Sequence, residues 1–167
     1  MDISAHTKID SDYSLTMNDV LDWESDHGPV PHDCIVLLRT GWQAKWSDPF
    51  AYLGGDTANL LHFPGFALDT ARLLIEGRNI SGLGIDTCGV DAGLDTAFSV
   101  SRLALGNRMI VLENMTGLDL LPTYGFLLVV GLIRLEGGSG GPTAITCLLY
   151  TSPSPRDLST SRMPSSA

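Results

Sequence analysis

Apolar residues in this chain gather into short unbroken runs, separated by stretches whose apolar positions recur at helical spacing. Cys34-Ile35-Val36-Leu37-Leu38, Gly82-Leu83-Gly84-Ile85-Asp86 and Met109-Ile110-Val111-Leu112 have strand length and little alternation. Runs of that kind mark strands covered on both faces. Thr16 opens a helix-like stretch with Asp19 at the capping-box position, Val20, Leu21 and Trp23 as its apolar face, and Gly28 as its stop. A second helix is expected from Leu68, with Ala71, Leu74 and Ile75 on one face and Gly77 closing it. A third is expected to be capped by Thr96 and to run to Gly106. Phe126 to Leu135 reads as a long strand and Thr143 to Tyr150 as the last one, while Met1 to Ala5 reads as the end of a strand. Strands alternating with helix-length segments predict an α/β domain with a mixed sheet.

The segment from Thr40 to Pro64 carries Gly, Asp and the aromatics Trp42, Trp46 and Tyr52, and reads as a long structured loop. Residues 1–147 form the expected domain. Residues 148–167 read as a disordered tail, because Thr151 to Ala167 holds six Ser and three Pro with only Leu158 and Met163 as large apolar side chains. The string Leu148 to Asp157 also resembles translated sequencing-adapter read-through, so the tail is set aside as an artefact.

Composition narrows the function classes. Across 167 residues, Lys and Arg number 10 against 19 Asp and Glu, a formal net charge of -9. Such a surface repels phosphate backbones and anionic lipid, which argues against nucleic-acid and membrane partners. The longest apolar stretch is broken by Gly131 and Arg134 and is too short to span a bilayer. Cys34, Cys88 and Cys147 form no C-x-x-C pair, and an odd, sparse set fits reduced thiols in a cytoplasmic protein.

Most familiar motifs fail on inspection. The run Gly137 to Pro142 lacks the Lys and Ser/Thr of a phosphate-binding loop, and a turn between two strands fits it better. Gly82-Leu83-Gly84 has Thr87 where a dinucleotide fingerprint needs its third glycine. His6, His27, His32 and His62 are scattered, and no serine sits in a G-x-S-x-G elbow. The carboxylates are more informative: Asp86 and Glu113 both stand at the carboxyl ends of predicted strands, where ligands of α/β sheets collect. Carboxylates there can hold a metal or act as a general base, or they can brace a loop by accepting backbone N–H groups.

One set of blocks points to a family. Gly84-Ile85-Asp86-Thr87 with Val90-Asp91 and Gly93 resembles the G-I-D-T-x-S-x-D-x-G motif of the cyclase-like family, which includes bacterial kynurenine formamidases (arylformamidases) and isatin hydrolases. Thr40-Gly41-Trp42, His62-Phe63-Pro64-Gly65, Leu112-Glu113-Asn114, Leu121-Pro122 and Gly137 to Pro142 agree in order. The resemblance implies a mixed-sheet, swivelling β/β/α-type fold and a divalent metal site, zinc or manganese. It implies hydrolysis of a small amide, of the N-formylkynurenine or cyclic amide type, and makes a role in tryptophan catabolism plausible. A homo-oligomer is compatible with it.

By the same resemblance Glu113 matches a metal-ligating glutamate. Trp42 and Phe63, with Trp46 and Tyr52, could wall a pocket for an aromatic substrate, or form a small core under the long loop. Two departures set the chain apart. The family's first metal motif, H-x-G-T-H-x-D-x-P-x-H, is absent, so the chain reads as starting inside the domain and is expected to lack enough donors for the metal. In the block that usually reads F-P-x-H-R, Phe98-Ser99-Val100-Ser101-Arg102 puts Ser101 in the place of a catalytic histidine. A hydroxyl is a weak ligand and no base near neutral pH. Two readings stay open: a metal-dependent amide hydrolase of arylformamidase type, and a non-catalytic member serving as a metal-free binding or structural subunit.

Overall fold

A computed structural model describes residues 1–55 and 60–149, which fall into two compact units, Met1–Leu120 and a second from Leu121 onward. The heart of the first unit is a parallel three-stranded sheet in the order β2 (Ile35–Leu38), β4 (Gly82–Ile85), β5 (Ile110–Leu112). Register pairs Val36 with Leu83 and Leu83 with Val111, so one face carries Val36, Leu38, Leu83 and Ile85 together. Next to β2, Asp2 bridges Arg39 in parallel, and the Arg39 N–H donates to the Met1 carbonyl at 3.0 Å. A separate parallel pair joins β1 (Ser14–Leu15) to β3 (Gly65–Phe66).

Helices cover the apolar face of the sheet. After a short α1 (Ser4–Thr7), α2 (Met17–His27) begins as expected: Thr16 and Asp19 complete a capping box, and Gly28 ends it at φ 86. That local chemistry is worth about 1 kcal/mol for the N-cap and is readable without any tertiary context. The expected second helix is α4 (Leu68–Arg72), which continues into a π-helical turn over Leu73–Gly77. Val20, Ala71, Leu74, Ile75, Val100 and Ala104 join the sheet residues in one buried core. Gly84 serves the opposite face, since a Cβ there would lie 2.5 Å from Leu37 Cδ2 and 2.7 Å from Met115 S.

Several expectations are refined. The loop after Thr40 is ordered into a 3₁₀ turn, Trp42–Lys45, and a short α3 (Pro49–Leu53), started by Asp48 accepting the Phe50 and Ala51 N–H groups with Pro49 at the first turn. Its stretch 56–59 lies outside the described residues. Thr96 does not cap the third helix: α5 (Ser99–Gly106) starts three residues later, behind Phe98 at φ 54, and its first N–H groups go to Asp91 and Asp95. A carboxylate makes stronger, charge-assisted bonds to those donors than a threonine hydroxyl can.

In the second unit, β6 (Phe126–Leu132) and β7 (Thr143–Leu149) form an antiparallel hairpin, with the glycine run between them. The strand stops at Leu132 rather than Leu135. β7 matches the expected last strand from Thr143, so Leu148 and Leu149, which the domain boundary placed in the tail, are in the strand, and the rest of that tail lies outside the described residues.

Candidate active site

Parallel strands deliver their following residues to one edge, and here β2, β4 and β5 deliver Thr40, Asp86 and Glu113. Asp86 is 1% exposed. Its Oδ1 accepts the Thr40 N–H at 2.8 Å and the Thr40 hydroxyl at 2.7 Å, so the carboxylate braces the start of the long loop. Its Oδ2 is buried and has no hydrogen-bond partner among the described residues.

Tyr52 reaches the same edge from α3. Its hydroxyl lies 3.0 Å from the Asp86 carbonyl and 3.0 Å from Asn114 Oδ1. Burial, and after it the charges of Cys88, Asp86 and Glu113, push this phenol far above its ordinary value, so it stays a donor at any physiological pH. Its own backbone carbonyl accepts the Trp42 indole N–H at 2.7 Å.

Glu113 follows β5 directly. The residue is exposed, but the protein around its carboxyl desolvates it in part; that, and then the negative charge of Asp91, raise its pKa, while a backbone hydrogen bond from Val90 opposes the shift. Asp91 therefore lies close enough to matter electrostatically, and Cys88 is tied to the same locality: burial first and the Glu113 charge second raise its thiol.

Ser101 sits in the first turn of α5. Its hydroxyl donates to Asp91 Oδ2 in a very short contact, and its N–H lies 3.2 Å from both Asp91 oxygens. The Val100 N–H completes the arrangement at 2.6 Å from Oδ1. Asp91, 4% exposed, is held by three donors of one helical turn. The Ser101 hydroxyl hydrogen is thus committed to Asp91.

Trp42 and Phe63 lie in a small buried cluster with Tyr52, 3% and 6% exposed, with Cys88 packed against it. The Lys45 ammonium sits over the Trp42 ring, 3.1 Å from its centroid. Trp46 stays outside this cluster, largely exposed and edge-on to Tyr52 at 5.3 Å. His62 pairs with Asp12 at 2.9 Å.

The structure thus joins Asp91 to Ser101, puts Glu113 within the field of the Asp91 charge, and keeps Trp42 and Phe63 in a core beneath the loop. Sequence reading passed over the roles of Asp91 and Tyr52. Asp91 stood in the quoted motif, but nothing local shows a carboxylate capping a helix eight residues later. The donor set for zinc or manganese is not met among the described residues. Among the described residues no three His, Cys, Asp or Glu side chains come together to hold a metal ion. Glu113 supplies one carboxylate where a zinc site needs three or four donors.

Comparison with known proteins adds a lineage. Residues 1–92 match the model of the family described as "Putative cyclase". An isatin hydrolase of Roseibium aggregatum is 29% identical over 153 residues, which cover 89% of this chain and 57% of that protein. Isatin hydrolase A from Labrenzia aggregata, solved bound to benzyl benzoate, superposes with a TM-score of 0.83 at 32% identity, over 89% of this chain and 58% of that one. Isatin hydrolase A from Ralstonia solanacearum gives a TM-score of 0.86 at 31% identity, over 90% and 58%. The chain spans less than two thirds of the length of these relatives.

Proposed function

Because the chain belongs to the cyclase family, we propose that its sheet edge is one wall of a hydrolytic site for a small cyclic amide of the isatin kind. The observation that carries this is the delivery of Glu113 to the carboxyl edge of a parallel sheet, with its pKa raised by burial and by Asp91. A carboxylate with raised proton affinity is suited to take a proton from water as it adds to an amide carbonyl. The ring C–N bond then breaks and the nitrogen leaves with a proton. Open-chain N-formylkynurenine carries the same amide chemistry, and an arylformamidase role in tryptophan catabolism is the neighbouring possibility. An acidic protein working in the cytoplasm on such a solute fits the net charge of -9. With a zinc or manganese ion bound, Glu113 would instead be one of its donors, and the ion would lower the pKa of bound water. The described residues alone do not complete that site, so no step here runs through it.

A second reading has its own support. Ser101 is fastened to Asp91 and so has no free hydroxyl hydrogen to offer a substrate. A chain built this way also suits a non-catalytic binding or structural subunit. The two readings separate in a chimera that supplies this chain with the part of the Roseibium isatin hydrolase lying outside the match. Ring opening of isatin, followed by absorbance, is expected, with a loss of roughly a hundredfold or more in Glu113→Ala. A folded but inactive chimera favours the second reading. Turnover that survives Glu113→Ala refutes the site.

A further inference from the structure

We infer that Tyr52 is a positioning residue that latches the long loop onto the ends of β4 and β5 and so sets the placement of Glu113. The phenol is 6% exposed and lies equally near two acceptors that flank Glu113 in the fold, the Asp86 carbonyl and the Asn114 side chain. One hydroxyl hydrogen cannot serve both at once. The arrangement that satisfies every group has the Asn114 amide turned so that its NH₂ donates to the Tyr52 oxygen, while the Tyr52 O–H donates to Asp86.

Asn114 itself adopts φ 54, the left-handed region that non-glycine residues enter at a cost and that the surroundings must hold. Its N–H donates to the Thr87 carbonyl at 2.8 Å, and the Met115 N–H donates to Ile85 at 3.0 Å. The chain therefore turns sharply straight after Glu113, and the side chain that keeps that turn in place reaches across to Tyr52. The loop end of the latch is equally fastened, through Trp42 Nε1 on the Tyr52 carbonyl and through Gln43, which accepts from the Gly117 N–H at 2.7 Å and donates to Asp119 at 2.9 Å. The raised pKa of the phenol keeps it in the donating form that this role requires. Tyr52 acts through Asn114 and the backbone, and takes no proton itself.

The latch deepens the functional reading above, which supplies the reason that Glu113 needs placing, but its test does not depend on turnover. In Tyr52→Phe of the full chain, hydrogen exchange at the Asn114 and Met115 amides is expected to quicken about tenfold, as when one ordinary hydrogen bond is lost from a local opening. Core amides of β2 and β4 should keep their rates, and the Glu113 side-chain carbonyl resonance should move at fixed pH. Unchanged exchange at Asn114 and Met115, a parallel rise at all amides, or a stationary Glu113 resonance overturns the proposal. Should Tyr52→Phe fail to fold, Asn114→Ala cuts the latch from its other end. Met115 exchange is then expected to quicken, and an unchanged rate overturns the proposal. If the exchange result holds and the chimera is inactive towards isatin, the functional reading falls and the latch stands.

Discussion

Replacing Asp91 by Asn keeps the shape of the side chain and removes its charge. The asparagine oxygen can still face the Val100 N–H, which now donates at 2.6 Å. The NH₂ group must then face the Ser101 N–H, donor against donor, and the Ser101 hydroxyl must turn to accept from it, where a carboxylate oxygen now accepts both. A hydrogen bond to a charged group is worth about 1.5–3 kcal/mol. The interaction of a carboxylate with a helix N-terminus adds roughly 0.3–1 kcal/mol. Together the change is expected to cost about 3 kcal/mol, a large part of the roughly 5–15 kcal/mol that holds a domain folded. Urea unfolding followed by tryptophan fluorescence measures it: the midpoint should fall by about 1–2 M with the slope unchanged.

A second signature separates electrostatics from capping. Glu113 is raised first by burial and second by Asp91, so in Asp91→Asn its pKa should move back towards the ordinary carboxylate range. In the native protein the folded state keeps the Glu113 proton to higher pH than the unfolded chain does. Its contribution to stability therefore falls as pH rises from the ordinary glutamate value through the raised one. That fall should be shallower in the variant. A stability loss below about 1 kcal/mol, or a Glu113 titration that does not move, would refute the reasoning. Ser101→Ala, which removes only the hydroxyl bond to the carboxylate, should cost about 1.5–3 kcal/mol.

Glu24 accepts from Arg78 Nε at 2.7 Å and Nη2 at 2.9 Å, and this pairing holds its carboxyl below the usual range. Its stabilisation is present above the unfolded glutamate pKa and is lost as pH falls through the lowered folded value, so Glu24→Gln should flatten the acid limb of a stability–pH curve and cost about 1–2 kcal/mol at neutral pH. Gly65→Ala would place a Cβ 2.3 Å from the Ala92 N and 2.5 Å from the Asp91 carbonyl carbon. Backbone cannot yield as a side-chain end can, so a loss of about 3 kcal/mol or more in chemical unfolding is expected, with Phe66 shifted off its bridge to Asp91. Zinc or manganese added to the 167-residue chain should leave its melting temperature unchanged, and elemental analysis after dialysis should find no stoichiometric metal.

The elements whose cause is local were legible in the sequence. Thr16, Asp19 and Gly28 bound α2 through contacts within a few residues, and the runs at β2, β4 and β5 lie within one residue of the strands. Burial on both faces writes itself into consecutive apolar positions, and a capping box needs only its own turn. That Asp86 and Glu113 end two strands was readable for the same reason. What those carboxylates do was not. Asp86 reaches back 46 positions to Thr40, and the choice between a brace and a reacting group rests on that contact.

The cap of α5 shows the same division. Thr96 has the right residue type at a reasonable distance, but the helix begins where Asp91 and Asp95 can reach its N–H groups. The bridge of Asp91 to Phe66 and the Gly93 N–H on the Phe63 carbonyl bring the loop round to do so. Trp42, Tyr52 and Phe63 likewise carry no periodic signal, because they come from separate turns of one loop and meet only after it folds. Sequence by itself determined the strands, the first helix cap and the family blocks, since each depends on neighbours along the chain. Tertiary structure decided which carboxylate braces and which one caps, because hydrogen-bond partners are set by neighbours in space.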